Sequence, residues 1–182
     1  MSHLTLMNET DFLAMFLVRK GDITIARTPA IPRGAMLQVP TRQTYTVVAA
    51  TVIQGNTYTS APISVSGPAG FLARILQHGP QGTYEFDVRK LPPRSAEQME
   101  FQTTTPSAVA FTISCNGIHL QSVIVNDAFR VVALSLAGPY TLYGVIDGVT
   151  TQTIQTANPD ATIAARVGAR GAEAGDFELV IA

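Results

Sequence analysis

Short runs of apolar and β-branched residues, each closed by glycine, proline, asparagine or aspartate, set the rhythm of this chain. In the first half the runs are DFLAMFLV from Asp11, GDITIA from Gly21, AMLQVP from Ala35, YTVVAATVI from Tyr45, NTYTSAPISV from Asn56, FLARILQ from Phe71 and TYEFDVR from Thr83. Each is the length of a strand, and most alternate between apolar and polar positions, which suits a half-buried pleated surface. Gly21, Pro32-Arg33-Gly34, Gly55-Asn56, Gly67-Pro68 and Gly79-Pro80 supply the turns between them. FLARILQ, and ATIAARVGA from Ala161, also read as a turn or two of helix, because apolar residues there are adjacent rather than alternating.

The same rhythm returns in the second half. Phe111 stands 95 positions after Phe16, and the same offset relates Ile113 to Val18, Ile118 to Ile23, Leu120 to Ile25 and Tyr140-Thr141 to Tyr45-Thr46. Small deletions then reduce the offset, so that Ala165-Arg166-Val167 answers Ala73-Arg74-Ile75 and GDFELVI from Gly175 answers GTYEFDV from Gly82. Matches in order over nearly the whole chain imply an internal duplication. The expectation is an all-β protein of two tandem antiparallel β-sandwich repeats, Ig-like or jelly-roll-like. Residues 1–91 would form the first repeat and 99–182 the second. Residues 92–98, which open with Pro92 and Pro93, would be an exposed linker, because proline cannot continue a central ladder.

Composition narrows the function. Charged residues make up 14% of the chain and the net charge is -1, against about 25% charged in ordinary soluble domains. A surface this poor in charge is easily buried against another chain, which favours self-association. It disfavours a nucleic-acid groove, which needs clustered cations; Lys20 and Lys90 are the only lysines. The apolar run Phe12 to Val18 is too short for a membrane span and has no basic segment before it, so synthesis in the cytoplasm without a signal peptide is expected. Asn8-Glu9-Thr10 is a glycosylation sequon that would then be idle.

Few groups suggest chemistry. Cys115 and His119 flank Asn116-Gly117, a favoured two-residue hairpin turn. Such a turn pairs Cys115 with Ile118 and Ser114 with His119, which sends the thiol and the imidazole to opposite faces. Glu85 and Asp87 share a strand face, but the sequence match aligns Val180 with Asp87, so a carboxylate dyad is not expected to recur. Arg74 with Glu85, and Arg166 with Glu178, recur in both halves as candidate cross-strand register pairs or partner sites. Lys20-Gly21-Asp22 resembles an integrin-type tripeptide but is read as a turn tip. His78, beside Gly79-Pro80, is read as an exposed turn residue. Tryptophan is absent, which lowers a sugar-stacking role, and Tyr58 and Tyr143 are the candidate ligand-contact aromatics. No cofactor or metal signature is present.

These features lead to the expectation of a non-enzymatic structural protein that forms a symmetric homo-oligomer with itself and with other structural proteins. Its most concrete form is a bacteriophage virion component, such as a head-decoration, collar or tail protein. The alternative is a carbohydrate- or cell-surface-binding β-sandwich module.

Overall fold

The computed structural model describes residues 2–78 and 83–182; the predicted turn Gly79-Pro80 and the start of GTYEFDV lie outside them, as do the side chains of His78 and Thr83. The chain is all-β, with four sheets and, among the described residues, no α-helix. The first half forms β1 (His3–Asn8), β2 (Ala14–Lys20), β3 (Ile23–Arg27), β4 (Met36–Pro40), β5 (Tyr45–Ile53), β6 (Asn56–Thr59), β7 (Ile63–Val65), β8 (Ala69–His78) and β9 (Thr83–Leu91). The second half repeats that series as β10 (Gln98–Thr103), β11 (Val109–Cys115), β12 (Ile118–Val125), β13 (Val131–Ser135), β14 (Tyr140–Ile146), β15 (Val149–Thr150), β16 (Ile154–Thr156), β17 (Thr162–Val167) and β18 (Phe177–Ile181). The two ambiguous segments are therefore strands β8 and β17. Each is flanked by strands on both sides, and in β17 the consecutive Ile163, Ala164 and Ala165 are all buried. Burial on both faces erases the alternation that would have marked a strand.

The compact units are not sequential. One comprises Met1–Arg42 with Ala137–Ala182, and the other Gln43–Leu136. The first contains a sheet of order β18-β17-β1-β4 and a sheet of order β15-β14-β2-β3, with β16 also on β14. The second contains the orders β9-β8-β10-β13 and β12-β11-β5-β6, with β7 also on β5. Replacing each strand by its counterpart from the other half turns one description into the other. The parallel pair β1–β17 corresponds to the parallel pair β10–β8, and the remaining pairs within the sheets are antiparallel. Even the bulge recurs, after Val18 in β2 and after Ile113 in β11.

The expected division at residues 92–98 is thus corrected. Those residues mark the passage from β9 to β10, two strands of one sheet in one unit. The physical reason is partner exchange: β1 pairs with β17 of the distant half rather than with β8 of its own. Because β8 and β17 carry the same pattern, hydrophobic periodicity reveals the strands but not which copy each one joins.

Each unit closes over its own core. In the second, Phe71 and Phe101 are register partners with stacked rings 5.3 Å apart. Phe101 then meets Phe111 of the other sheet at 5.1 Å, so the two sheets face one another. Burying each ring contributes about 2–3 kcal/mol, and each ring pair about 1 kcal/mol more. The first unit fills the corresponding positions with Ile163, Leu6 and Phe16, all buried.

Asn8, at the end of β1, is fully buried and fully satisfied. Its Nδ2 donates to the carbonyls of Phe12 (2.7 Å) and Ile31 (2.9 Å), and its Oδ1 accepts from the backbone N–H (3.0 Å) and hydroxyl (2.8 Å) of Thr10. The sequon is therefore a structural clasp whose amide is closed to a glycan. In the second unit Thr103 and Thr105 occupy the matching positions. The Thr105 N–H donates to the Thr103 hydroxyl at 2.9 Å, and the Thr105 hydroxyl donates to the Ser107 carbonyl at 2.7 Å.

Candidate functional site

The Asn116-Gly117 hairpin forms as the sequence implies. Ser114 pairs with His119 and Cys115 with Ile118, and both turn residues take positive φ. The buried Cys115 thiol donates to Gln43 Oε1 at 2.8 Å, and burial pushes its pKa up, so it stays protonated. The exposed His119 instead bonds Ser122 through Nε2 at 2.9 Å. Among the described residues, no three His, Cys, Asp or Glu side chains converge as metal ligands.

The arginine pairs are rearranged relative to expectation. Arg74 lies opposite Asp87, and its guanidinium grips that carboxylate with two bonds, 3.1 and 2.7 Å. Hydrogen bonding to Asp87 raises the arginine pKa further, while Glu85, opposite Leu76, acts on Arg74 only as a diagonal charge. Arg166 does lie opposite Glu178, but its guanidinium bonds Glu9 at 2.5 and 3.4 Å. That contact holds the Glu9 carboxyl below its ordinary pKa. The ladders make Asp87, rather than Glu85, the counterpart of Glu178, so the sequence match was slipped by two residues. These are register and packing contacts, weakened by solvent screening at such exposure. Glu9 went unnoticed because it lies on a segment 157 positions from Arg166.

The two candidate tyrosines differ. Tyr58 on β6 packs edge-to-face on Tyr84 of β9 with centroids 6.4 Å apart, and so serves packing. Tyr143 on β14 pairs with Leu17 on β2, next to the pair Val145–Met15. The alternate residues Phe16, Val18 and Leu142 point into the core, so Met15 and the half-buried Leu17, Tyr143 and Val145 form a short strip on the outer face, bordered by Arg27 opposite Leu17.

Two further features had no signal in the sequence. The first is Phe129, in the turn between β12 and β13. It is 88% exposed and takes φ 68°. Its N–H donates to the Thr103 carbonyl at 3.1 Å, just as the N–H of Gly34, at φ 73°, donates to the Asn8 carbonyl at 2.7 Å. The two turns are equivalent, and only one uses the residue its geometry favours. Positive φ is a genuine outlier for a bulky side chain, and strain of this kind concentrates at functional positions.

The second is an open cleft of ≈ 740 Å³ in the first unit, lined by Ser2, Lys20, Thr41, Arg42, Tyr140 and Pro159 among others. Its parts come from the ends of β2 and β4, the start of β14 and the segment after β16. The Lys20 ammonium lies over the Tyr140 ring, 4.2 Å from its centroid.

Among the described residues, no helix is long and apolar enough to cross a membrane. No protein-family model, curated protein or solved structure matches this chain.

Proposed function

We propose that this chain is a non-enzymatic assembly protein that forms a symmetric homo-oligomer. The observation that carries the reading is Phe129, a large aromatic ring held in water on unfavourable backbone where the equivalent turn has glycine. Backbone strain of this kind clusters at functional positions. Aromatic side chains are the commonest anchors of protein interfaces. The low charge of the whole chain and the strip of Met15, Leu17, Tyr143 and Val145 support the same reading, because both reduce the desolvation cost of contact. The polar groups suggested as chemistry are engaged elsewhere: Asp87 by Arg74, Glu9 by Arg166, and the Cys115 thiol by Gln43.

In its most concrete form the protein is a bacteriophage virion component, a head-decoration, collar or tail protein. It is incorporated beside other structural proteins. Its two units are then β-sandwiches of Ig-like or jelly-roll-like kind, descended from one duplicated ancestor and exchanging strands. The absolute mass in solution, measured by light scattering over a range of concentrations, tests the reading. A closed species of several chains is expected. A 19.4 kDa monomer at every concentration would overturn it. A carbohydrate- or cell-surface-binding role is the second reading, and the cleft beside Tyr140 is the feature that favours it.

A further inference from the structure

The cleft of the first unit carries two cations that the corresponding positions of the other half lack. Lys20 and Arg42 both line it, and among the described residues no carboxylate does. Arg42 is exposed and, among the described residues, forms no ion pair. Tyr140 pairs with Lys20 across the sheet and is 4% exposed, so its ring is a fixed floor beneath the ammonium. The rim is fixed too, because the backbone N–H and the hydroxyl of Thr41 both donate to the Ser2 carbonyl, at 3.1 and 2.9 Å.

The second unit provides an internal control. There Cys115 stands for Lys20, Ala137 follows the second unit's last residue where Arg42 would stand, Glu97 stands for Ser2 and the buried Tyr45 for Tyr140. The backbone is the same, since the Leu136 N–H donates to the Glu97 carbonyl at 2.7 Å as Thr41 does to Ser2. The fold is therefore built without either cation. Two cations that the scaffold does not need, brought to one concave site from separate strands, call for an anionic ligand.

The dimensions specify it further. A volume of ≈ 740 Å³ lies within the range of about 300–1,000 Å³ typical of small-molecule sites and far exceeds a lone inorganic anion. The lining mixes hydroxyl and cationic groups with the apolar surfaces of Ala157 and Pro159. Such a lining suits a polyhydroxylated body with one apolar face and a carboxylate.

We propose that this cleft is a binding site for a carboxylated saccharide, independent of any assembly. The planar guanidinium of Arg42 takes the carboxylate by two parallel hydrogen bonds. Lys20, preorganised over Tyr140, adds a second cationic donor.

The test is calorimetric titration of the whole chain with N-acetylneuraminic acid and with glucuronic acid, and with N-acetylglucosamine and inorganic phosphate as comparisons. Both acidic sugars, or one of them, should bind, with affinity falling as salt is added. Arg42→Ala, which copies Ala137 at the corresponding point of the other half, and Lys20→Met should each weaken binding by about tenfold or more at unchanged melting temperature. Equal affinity for the neutral sugar would overturn the proposal. So would phosphate binding as tightly as the acidic sugars, since the site would then be a phosphate site. Absence of binding by every probe up to about 10 mM would overturn it as well.

Discussion

Replacing Phe129 separates strain from function, because the two readings of that residue predict different signs. At φ 68° an L side chain crowds the following carbonyl, at a cost of about 1–2 kcal/mol. Phe129→Gly removes that cost and copies Gly34, while the added freedom of the unfolded chain offsets about 0.4–1 kcal/mol. The hydrogen bond from the N–H of residue 129 to Thr103 is retained. The expected net result is a protein more stable by about 0.5–1 kcal/mol, or about 1–4 °C in melting temperature for a chain of this size. Phe129→Ala keeps the unfavourable backbone and, because the ring is 88% exposed, should shift stability by less than about 0.5 kcal/mol. Both variants should nevertheless weaken assembly. An interface that buries the ring gains about 1.5–3 kcal/mol from it, which is a change of about 10- to 150-fold in dissociation constant. Light scattering across a dilution series and thermal melting at a concentration where all forms are monomeric read the two effects separately. If Phe129→Gly is less stable than the parent, the strain argument fails. If Phe129→Ala assembles like the parent, the ring is not an anchor and the functional argument fails.

Other consequences follow from the same contacts. Asn8→Ala leaves the Thr10 N–H without its acceptor and takes one of two donors from each of the carbonyls of Phe12 and Ile31, which keep the Thr10 hydroxyl and the Ala14 N–H; it should cost roughly 2 kcal/mol in urea unfolding, whereas Asn8→Thr, the second unit's solution, should cost less; a loss below about 1 kcal/mol for alanine would sink the clasp. The Glu9 carboxyl is held below its ordinary pKa mainly by its hydrogen bond from Arg166, and Asp176 by the backbone N–H and then the side chain of Arg170. Their contribution to stability is complete above the ordinary carboxylate range and disappears as pH falls through the depressed folded values. The stability difference between the parent and Glu9→Gln should accordingly shrink between pH 7 and strong acid, and a constant difference would contradict the assignment. Ending the chain at Asp176 deletes β18 with its buried Phe177 and Leu179. Amide-exchange protection should then fall in β1, β2 and β17 but persist in β10 and β11; loss in β10 instead would support sequential units.

Much of this architecture was legible in one dimension because strands and tight turns are local. The alternation in YTVVAATVI and YTLYGVI marked β5 and β14, and Asn116-Gly117 set the pairing of Cys115 with Ile118 through backbone preference alone. The 95-residue offset announced that the strands come in two equivalent series. β1 was passed over, although Leu4, Leu6 and Asn8 alternate inward, because a buried asparagine does not read as core until its four hydrogen bonds are seen. What tertiary structure alone decided was partnership. Duplicated strands present the same face to either copy, so the choice of β17 over β8 for β1, and of Asp87 over Glu85 for Arg74, is set by packing and register rather than by pattern. The positive φ of Phe129 and the meeting of Lys20, Arg42 and Tyr140 belong to the same class. Strand character is carried by neighbours in the chain, whereas a strained turn and a charged cleft exist only once distant segments are held side by side.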